Sequence, residues 1–218
     1  LLTALTLAGL MVVLAVVSAV IRFDSAVRLE QRDLQQTLGR ITTALSGDLA
    51  ELDRFVGDWA GWDDTYAFIS DRNNAYITSN LADETLIRSK INAILFVDLT
   101  GQIIYSKTID LQSRRVWPNS AHWARYLPAL TQHAGTDSAI TGIVSLDRRP
   151  CLVAARPILT SDYQGPIRGT LIMAREFTDE QLRDLERVVG LEVTMRDPHD
   201  PRLPADFQQA YRVLHVTP

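Results

Sequence analysis

The first 21 residues, Leu1–Ile21, contain no charged side chain and are almost entirely apolar. A bilayer core is crossed by a helix of roughly 20 apolar residues, so this run predicts a transmembrane helix. A cleaved signal peptide is the alternative, because the small residues Ser18 and Ala19 stand near the end of the run. The apolar segment of a signal peptide usually has only about 7 to 15 residues, and a helical pattern follows here, which favours the membrane span.

Residues 22–56 have the pattern of a long membrane-proximal helix that continues outward from the span. Apolar residues seven apart form two rows, which are Val27, Leu34 and Ile41, and Leu38, Leu45 and Leu52. This spacing is typical of a helix whose apolar stripe packs against a partner. The partner could be the same helix of a second copy, giving a homodimer, or the core of the chain's own domain.

An aromatic and acidic cluster, Asp58–Tyr66, follows directly with the sequence DWAGWDDTY. If the helix continues through it, five side chains three or four residues apart share one side: Phe55, Trp59, Trp62, Tyr66 and Ile69. We expect this helix to end near Ser70 and the polar residues 71–80 to form a loop. The acids beside the rings could anchor an amine or another cation. In the plainer interpretation, the rings are core and the acids accept hydrogen bonds that pin the helix to the loop that follows it.

The remainder of the chain alternates between strand and helix patterns. Five antiparallel strands are predicted by β-rich runs between turn residues, at 93–98, 103–107, 139–146, 151–159 and 167–175. Helices are expected at 83–87, within 110–135 after a loop, and at 179–189 between an N-cap at Thr178 and Gly190. A short strand at 192–196 and an irregular tail follow. This order predicts an α+β fold of PAS type, with helices on one face of the sheet.

Charge and composition exclude several classes of function. The formal charge is −4, with 22 basic and 26 acidic residues and no basic run, so we expect no nucleic-acid partner. Cys151 is the only cysteine, which leaves no intramolecular disulfide and no cysteine-ligated metal site. The four histidines lack metal-ligand spacing, and neither a Gly-rich phosphate loop nor a nucleophile motif occurs. We therefore predict no metal, no cofactor and no enzymatic activity in this segment.

Over roughly residues 50–190 the chain resembles the CHASE4 domain, an extracytoplasmic sensory domain of prokaryotic signalling receptors. The matching residues are Asp58-Trp59, Trp62–Tyr66, Asn80-Leu81, Phe96, Asp98, Gly101, Tyr105 and Pro157-Ile158. The resemblance implies a PAS/Cache-like sensory domain at 57–197, held in the periplasm by an inner-membrane anchor, with 198–218 leading to a second transmembrane helix. It also implies a cytoplasmic output module, for which a GGDEF or EAL enzyme of cyclic-di-GMP is our first expectation and a histidine kinase the second.

Sensing of a small ligand is the function that this resemblance implies. The candidate ligand-binding residues are Trp62, Asp63, Asp64 and Tyr66 of the cluster, and Tyr105 and Arg156 of the predicted sheet. With Thr170, the last two would line the concave face of the sheet, where Arg156 suits a carboxylate or phosphate. An ion pair with one of the chain's acids is the alternative role of Arg156. The alternatives to ligand sensing are a dimerisation module that binds nothing and a docking domain for a periplasmic protein.

Overall fold

The computed structural model describes residues 35–116, 120–197 and 200–215. The predicted membrane span and the first part of the long helix lie outside these ranges, and no helix within them is both long and apolar enough to cross a bilayer. Helix α1 occupies residues 35–60. The elements after it are α2 (Asp63–Asp71), α3 (Asn74–Asn80), α4 (Asp83–Arg88), β1 (Ala93–Asp98), β2 (Ile103–Thr108), a 3₁₀ helix (Ser120–Arg125), α5 (Leu127–Leu130), β3 (Ile140–Leu146), β4 (Arg149–Pro157), β5 (Gly169–Glu176), α6 (Asp179–Val189) and α7 (Ala205–His215).

The five strands form one antiparallel sheet in the order β2-β1-β5-β4-β3. The last of these five strands along the chain, β5, therefore lies at the centre of the sheet. Both predicted hairpins are confirmed, and their turns contain residues with positive φ: Gly101 in the first, and Asp147 and Arg148 in the second. Two adjacent residues with positive φ form the tight turn whose twist matches that of paired strands. The predicted α+β fold, with its long N-terminal helix, is thus confirmed.

Both faces of the sheet are buried. Side chains alternate along a strand, so Leu152 and Ala154 of β4 face α1, whereas Cys151 and Val153 face the opposite side. The connection between β2 and β3 covers this second side, chiefly with Trp123, which is fully buried. The prediction that helices cover only one face is therefore wrong, because the central strands are apolar at consecutive positions and need a cover on each side.

The apolar stripe of α1 packs against the core of its own domain from Ile41 onward. Ile41 and Leu45 are partly buried and Leu52 is fully buried in the core that α1 shares with the sheet. Leu38, one turn before this contact begins, is 61% exposed. Over residues 41–60 the stripe thus serves the chain's own core, and the homodimer stays a prediction.

Three segments differ from the sequence-based expectations. Residues 74–80, expected to be a loop, form α3, because Asn73 accepts a hydrogen bond from the Tyr76 N–H (2.7 Å) and the Tyr76 ring is buried. Residues 192–196 contain no strand, and residues 205–215 of the expected irregular tail are helical. Helix α6 has the predicted bounds, with a capping box between Thr178 and Gln181.

Candidate functional site

The aromatic and acidic cluster lies where one helix ends and the next begins. Helix α1 ends at residue 60, Trp62 has extended backbone angles, and α2 begins at Asp63. The predicted continuous helix is therefore wrong at this point. Gly61 lies at the break, and a Cβ atom there would lie 2.7 Å from Cε1 of Tyr163, in the loop between β4 and β5. A side chain at position 61 would therefore require the Tyr163 ring to move.

The loop between β4 and β5 is hydrogen-bonded to the break on both of its sides. The Leu159 N–H donates to the Ala60 carbonyl oxygen (2.9 Å). Asp63 and Ser161 then bond reciprocally, since the Ser161 N–H donates to Asp63 Oδ1 (3.0 Å) and the Asp63 N–H donates to Ser161 Oγ (3.2 Å). We call residues 60–66 together with 159–168 the α1–α2 joint. In this joint, the Asp63 carboxylate holds a loop, as the plainer interpretation expected, but that loop is the one between β4 and β5 and not the segment that follows the helix in the sequence.

Tyr66 has its ring against a cation of the chain itself. The Arg168 guanidinium carbon lies 3.9 Å from the centroid of the Tyr66 ring, and Arg168 Nη1 also donates to the Tyr66 carbonyl oxygen (3.3 Å). The Tyr66 hydroxyl donates to the Pro166 carbonyl oxygen (3.1 Å). A cation over an aromatic face is the contact that we expected a ligand to make, and here Arg168 makes it.

The remaining members of the cluster differ in exposure. Trp59 is buried, whereas Trp62 is 38% exposed and stacks on Trp59 with ring centroids 5.0 Å apart. Asp64 is exposed in the first turn of α2.

Burial raises the pKa of Tyr76 to about 12, and the Asp64 carboxylate acts in the same direction. The Tyr76 hydroxyl shares a 2.7 Å hydrogen bond with Thr65, the buried neighbour of Asp64.

Arg156 is bound to helix α1 through Asp53. Its Nε donates to Asp53 Oδ1 (2.7 Å) and its Nη2 to Asp53 Oδ2 (2.5 Å), so both carboxylate oxygens are used. Its Nη1 reaches the Asp137 carbonyl oxygen (3.4 Å). The hydrogen bond with Asp53 is the main cause that raises the pKa of Arg156. The guanidinium predicted to bind a ligand anion thus has an acidic partner within the chain.

Tyr105 and Thr170 lie on opposite faces of the sheet. The Tyr105 ring contacts Phe68 and Phe96 with centroid separations of 6.0 and 6.1 Å, on the face that the helices α1 to α4 share. Thr170, on the other face, shares a 3.1 Å hydrogen bond with Nε2 of His133. The expectation that Tyr105, Arg156 and Thr170 line one concave face is therefore wrong, since adjacent residues of β5 alternate between the faces.

Tyr105 and Arg156 share a face but are far apart within it. Two strands, β1 and β5, separate β2 from β4, and neighbouring strands lie about 4.8 Å apart, so the separation is about 14 Å. A single small ligand that contacted both Tyr105 and Arg156 would have to displace the aromatic side chains packed on β1. Ligand binding by the six candidate residues stays a prediction, and the structure does not gather them into one pocket.

His133 is a polar residue of the opposite face that the sequence did not single out. Its Nδ1 lies 3.2 Å from the Ser138 hydroxyl, and its Nε2 bonds Thr170. Burial, and then the charge of Arg156, lower the pKa of His133. Only the fold brings these residues together, because Thr170 is 37 positions away in the chain. Within the described ranges, no three histidine, cysteine or acidic residues are grouped closely enough to hold a metal ion.

Comparison with known proteins gives matches along most of the chain. Residues 44–196 match the CHASE4 domain family. The methanogenesis regulatory histidine kinase FilI of Methanothrix harundinacea (strain 6Ac) is 29% identical over 169 residues, which are 77% of this chain and 19% of that protein. The chain therefore spans only about a fifth of the length of this relative.

Solved sensory domains resemble the fold at lower identity. The periplasmic domain of Vibrio cholerae LuxQ matches with a TM-score of 0.48 and 12% identity, over 79% of this chain and 82% of that one. A domain assigned to a sensory box/GGDEF family protein of Vibrio parahaemolyticus matches with a TM-score of 0.49 and 14% identity, over 71% and 63% of the two chains.

Proposed function

This chain belongs to the CHASE4 domain family, a family of sensory domains, and on that premise we propose that it is the periplasmic input domain of a receptor anchored in the inner membrane. In this proposal the domain binds a small ligand. Helix α1 passes the resulting change to the predicted transmembrane helix. The receptor works as a homodimer, so that the change alters how the spans of two copies pack.

The attachment of α1 to the middle of the sheet is the observation that carries this proposal. Arg156 of β4 binds Asp53 of α1 through two hydrogen bonds, and Arg175 of β5 pairs with Glu51, two residues earlier on the same helix (3.1 Å). Strands β4 and β5 are neighbours in the sheet. A displacement of these strands would therefore be transferred to a rigid helix, and shifts of one packed helix past another are a common form of signalling movement.

The proposed output module is a cytoplasmic histidine kinase or a cyclic-di-GMP enzyme. The relative FilI, which is a histidine kinase by name, favours the first of these. The family resemblance in the sequence suggested a GGDEF or EAL enzyme, and this remains the second candidate. Either activity would belong to parts of the protein outside the sensory domain.

The test uses the full-length receptor in membranes and measures its output, either autophosphorylation or turnover of cyclic-di-GMP. Arg156→Met keeps the length of the side chain and removes the link to α1, so we expect the basal output to change. Arg183→Met is the matched control, because it removes the same charge from an exposed position on α6. If the Arg156 variant folds, reaches the membrane and has the output of the control, α1 does not carry the signal through this contact.

A further inference from the structure

A cavity of about 350 Å³ lies beside the edge strand β3 and is separate from the α1–α2 joint. Three parts of the chain form its walls. These are the β3–β4 hairpin with Ile143 and Pro150, Tyr126 of the connection between β2 and β3, and the C-terminal segment with Met195, Arg196 and Tyr211. Its volume is within the range of small-molecule sites, which is about 300 to 1,000 Å³.

Hydrogen bonds hold the walls of this cavity together without a ligand. The Tyr126 hydroxyl accepts from the Ser145 N–H (3.1 Å) and donates to the Ser145 carbonyl oxygen (3.2 Å), which fixes Tyr126 at the edge of β3. The Ser145 hydroxyl donates to Asp197 Oδ2 (3.0 Å) and so ties the C-terminal segment to the same strand. A cavity whose walls are already fixed loses little conformational entropy when a ligand enters.

Backbone N–H and C=O groups at the open edge of β3 point toward this cavity. The N–H and C=O of Ser145 point away from β4, since both bond Tyr126. Pro150, the partner of Ser145 on β4, agrees with this geometry because its C=O also points away from the pair and accepts the Phe177 N–H (2.8 Å). Backbone groups of an antiparallel strand alternate in direction, so those of Ile143, two residues earlier, also point toward the open edge.

Among the charged side chains around the cavity, the Arg196 guanidinium is available to bind a ligand. Arg148 pairs with Asp200 (2.5 Å), and Asp197 accepts the hydroxyl of Ser145. Arg196 is exposed at the cavity, and the described part of the chain gives it no ion pair. The neighbouring walls are apolar, with Ile143, which is 43% exposed, among them. An unpaired guanidinium beside apolar walls suits a ligand with an acidic head and an apolar body.

We propose that this cavity binds a small organic carboxylate with an apolar body, and that Arg196 binds its carboxylate group. Arginine presents a planar pair of donors that matches a carboxylate, and the outward N–H of Ile143 offers another donor at the strand edge. The apolar body would replace water along Ile143, Pro150 and Met195. This inference rests on the proposed sensory function, for which it names the class of ligand.

The test measures binding of phenylacetate and hexanoate to the complete chain in detergent, by titration calorimetry and by thermal shift. Phenylacetamide and hexanamide are the controls, because they keep the shape and lack the charge. We expect the two acids to bind and to raise the melting temperature, and the amides to bind more weakly. Arg196→Gln should weaken binding of the acids by about tenfold or more, since it removes a charge-assisted contact. The control variant Arg183→Gln, at an exposed position of α6, should bind the two acids as tightly as the unchanged chain does.

Three results would overturn the site: binding of neither acid, equal binding of acids and amides, or unchanged binding in Arg196→Gln. The melting temperature of Arg196→Gln without ligand checks its fold. The sensory function is tested separately, by the output of the full-length receptor. If the carboxylates bind but do not change the output of the receptor, the site stands and the sensory role is overturned. If the output changes in Arg156→Met but the carboxylates do not bind, only the site is overturned.

Discussion

The ion pair between Arg156 and Asp53 makes a quantitative prediction about stability. The two side chains are 25% and 18% exposed, so the pair is mostly shielded from water but not fully buried. Hydrogen bonds to charged groups contribute about 1.5 to 3 kcal/mol, and partial exposure to solvent reduces this value. We therefore expect Arg156→Met or Asp53→Ala alone to lower the free energy of unfolding by about 2 kcal/mol. For a domain of this size, that corresponds to a fall in melting temperature of about 4 to 8 °C.

Urea unfolding of the two single variants and the double variant tests this estimate. Because each single change removes the same contact, the double variant should cost about 1.5 kcal/mol less than the sum of the two. Glu51→Gln is the control, since Glu51 is 62% exposed and makes one 3.1 Å contact with Arg175. Its cost should be below about 1 kcal/mol. Strictly additive costs for Arg156 and Asp53 would refute the claim that this pair fastens α1 to the sheet.

Three further predictions concern other parts of the fold. Gly169→Ala should destabilise the domain by about 2 kcal/mol in urea unfolding, because the added Cβ would lie 2.3 Å from the Val97 carbonyl oxygen; an unchanged midpoint would contradict this packing. A backbone hydrogen bond from Ser113 and the Arg149 side chain lower the pKa of Asp110 from 3.8 to about 2. The stability from Asp110 is thus present above pH 3.8 and is lost as the pH falls toward 2, and melting curves of Asp110→Asn should lack this loss. Burial raises the pKa of Cys151 to about 12, so thiol reagents should label it only after unfolding, and rapid labelling of the native chain would contradict its position.

Elements whose signals are local could be predicted from the sequence. The hairpin turns depend on residues within a few positions of each other, such as Gly101 and the pair Asp147-Arg148. Helix α6 depends on its own caps, Thr178 and Gly190, which are visible in the sequence. The order of elements then leads to the α+β class, because five short strands with antiparallel connections have few stable arrangements.

The details of the candidate site depend on contacts between distant parts of the chain. The break after α1 is bonded to the loop between β4 and β5, about a hundred residues away, and a sequence with good helical spacing on both sides does not reveal this contact. The acidic partner of Arg156 is 103 positions away, so the sequence indicates that an ion pair is plausible but not which acid provides it. Faces of the sheet present the same difficulty, since Thr170 could be assigned to a face only once its register with β4 was known.

Strand β4 connects the proposed ligand cavity to the attachment of α1. Pro150 near its start lines the cavity, and Arg156 near its end binds Asp53. Six residues of extended chain span about 20 Å. Because β4 is paired on both sides and buried on both faces, a shift at Pro150 would move the strand as a unit.

The cavity also contacts the segment that leads into α7, through Met195 and Asp197. A bound carboxylate would thus act on two routes, one through β4 to α1 and one through the C-terminal segment. A variant that interrupts only the route through β4 to α1 shows how much of the signal each route carries. If both routes carry the signal, Arg156→Met should leave binding of phenylacetate intact and reduce the response of the receptor without abolishing it. A complete loss of response with intact binding would show that α1 is the sole route, and an unchanged response would assign the signal to α7.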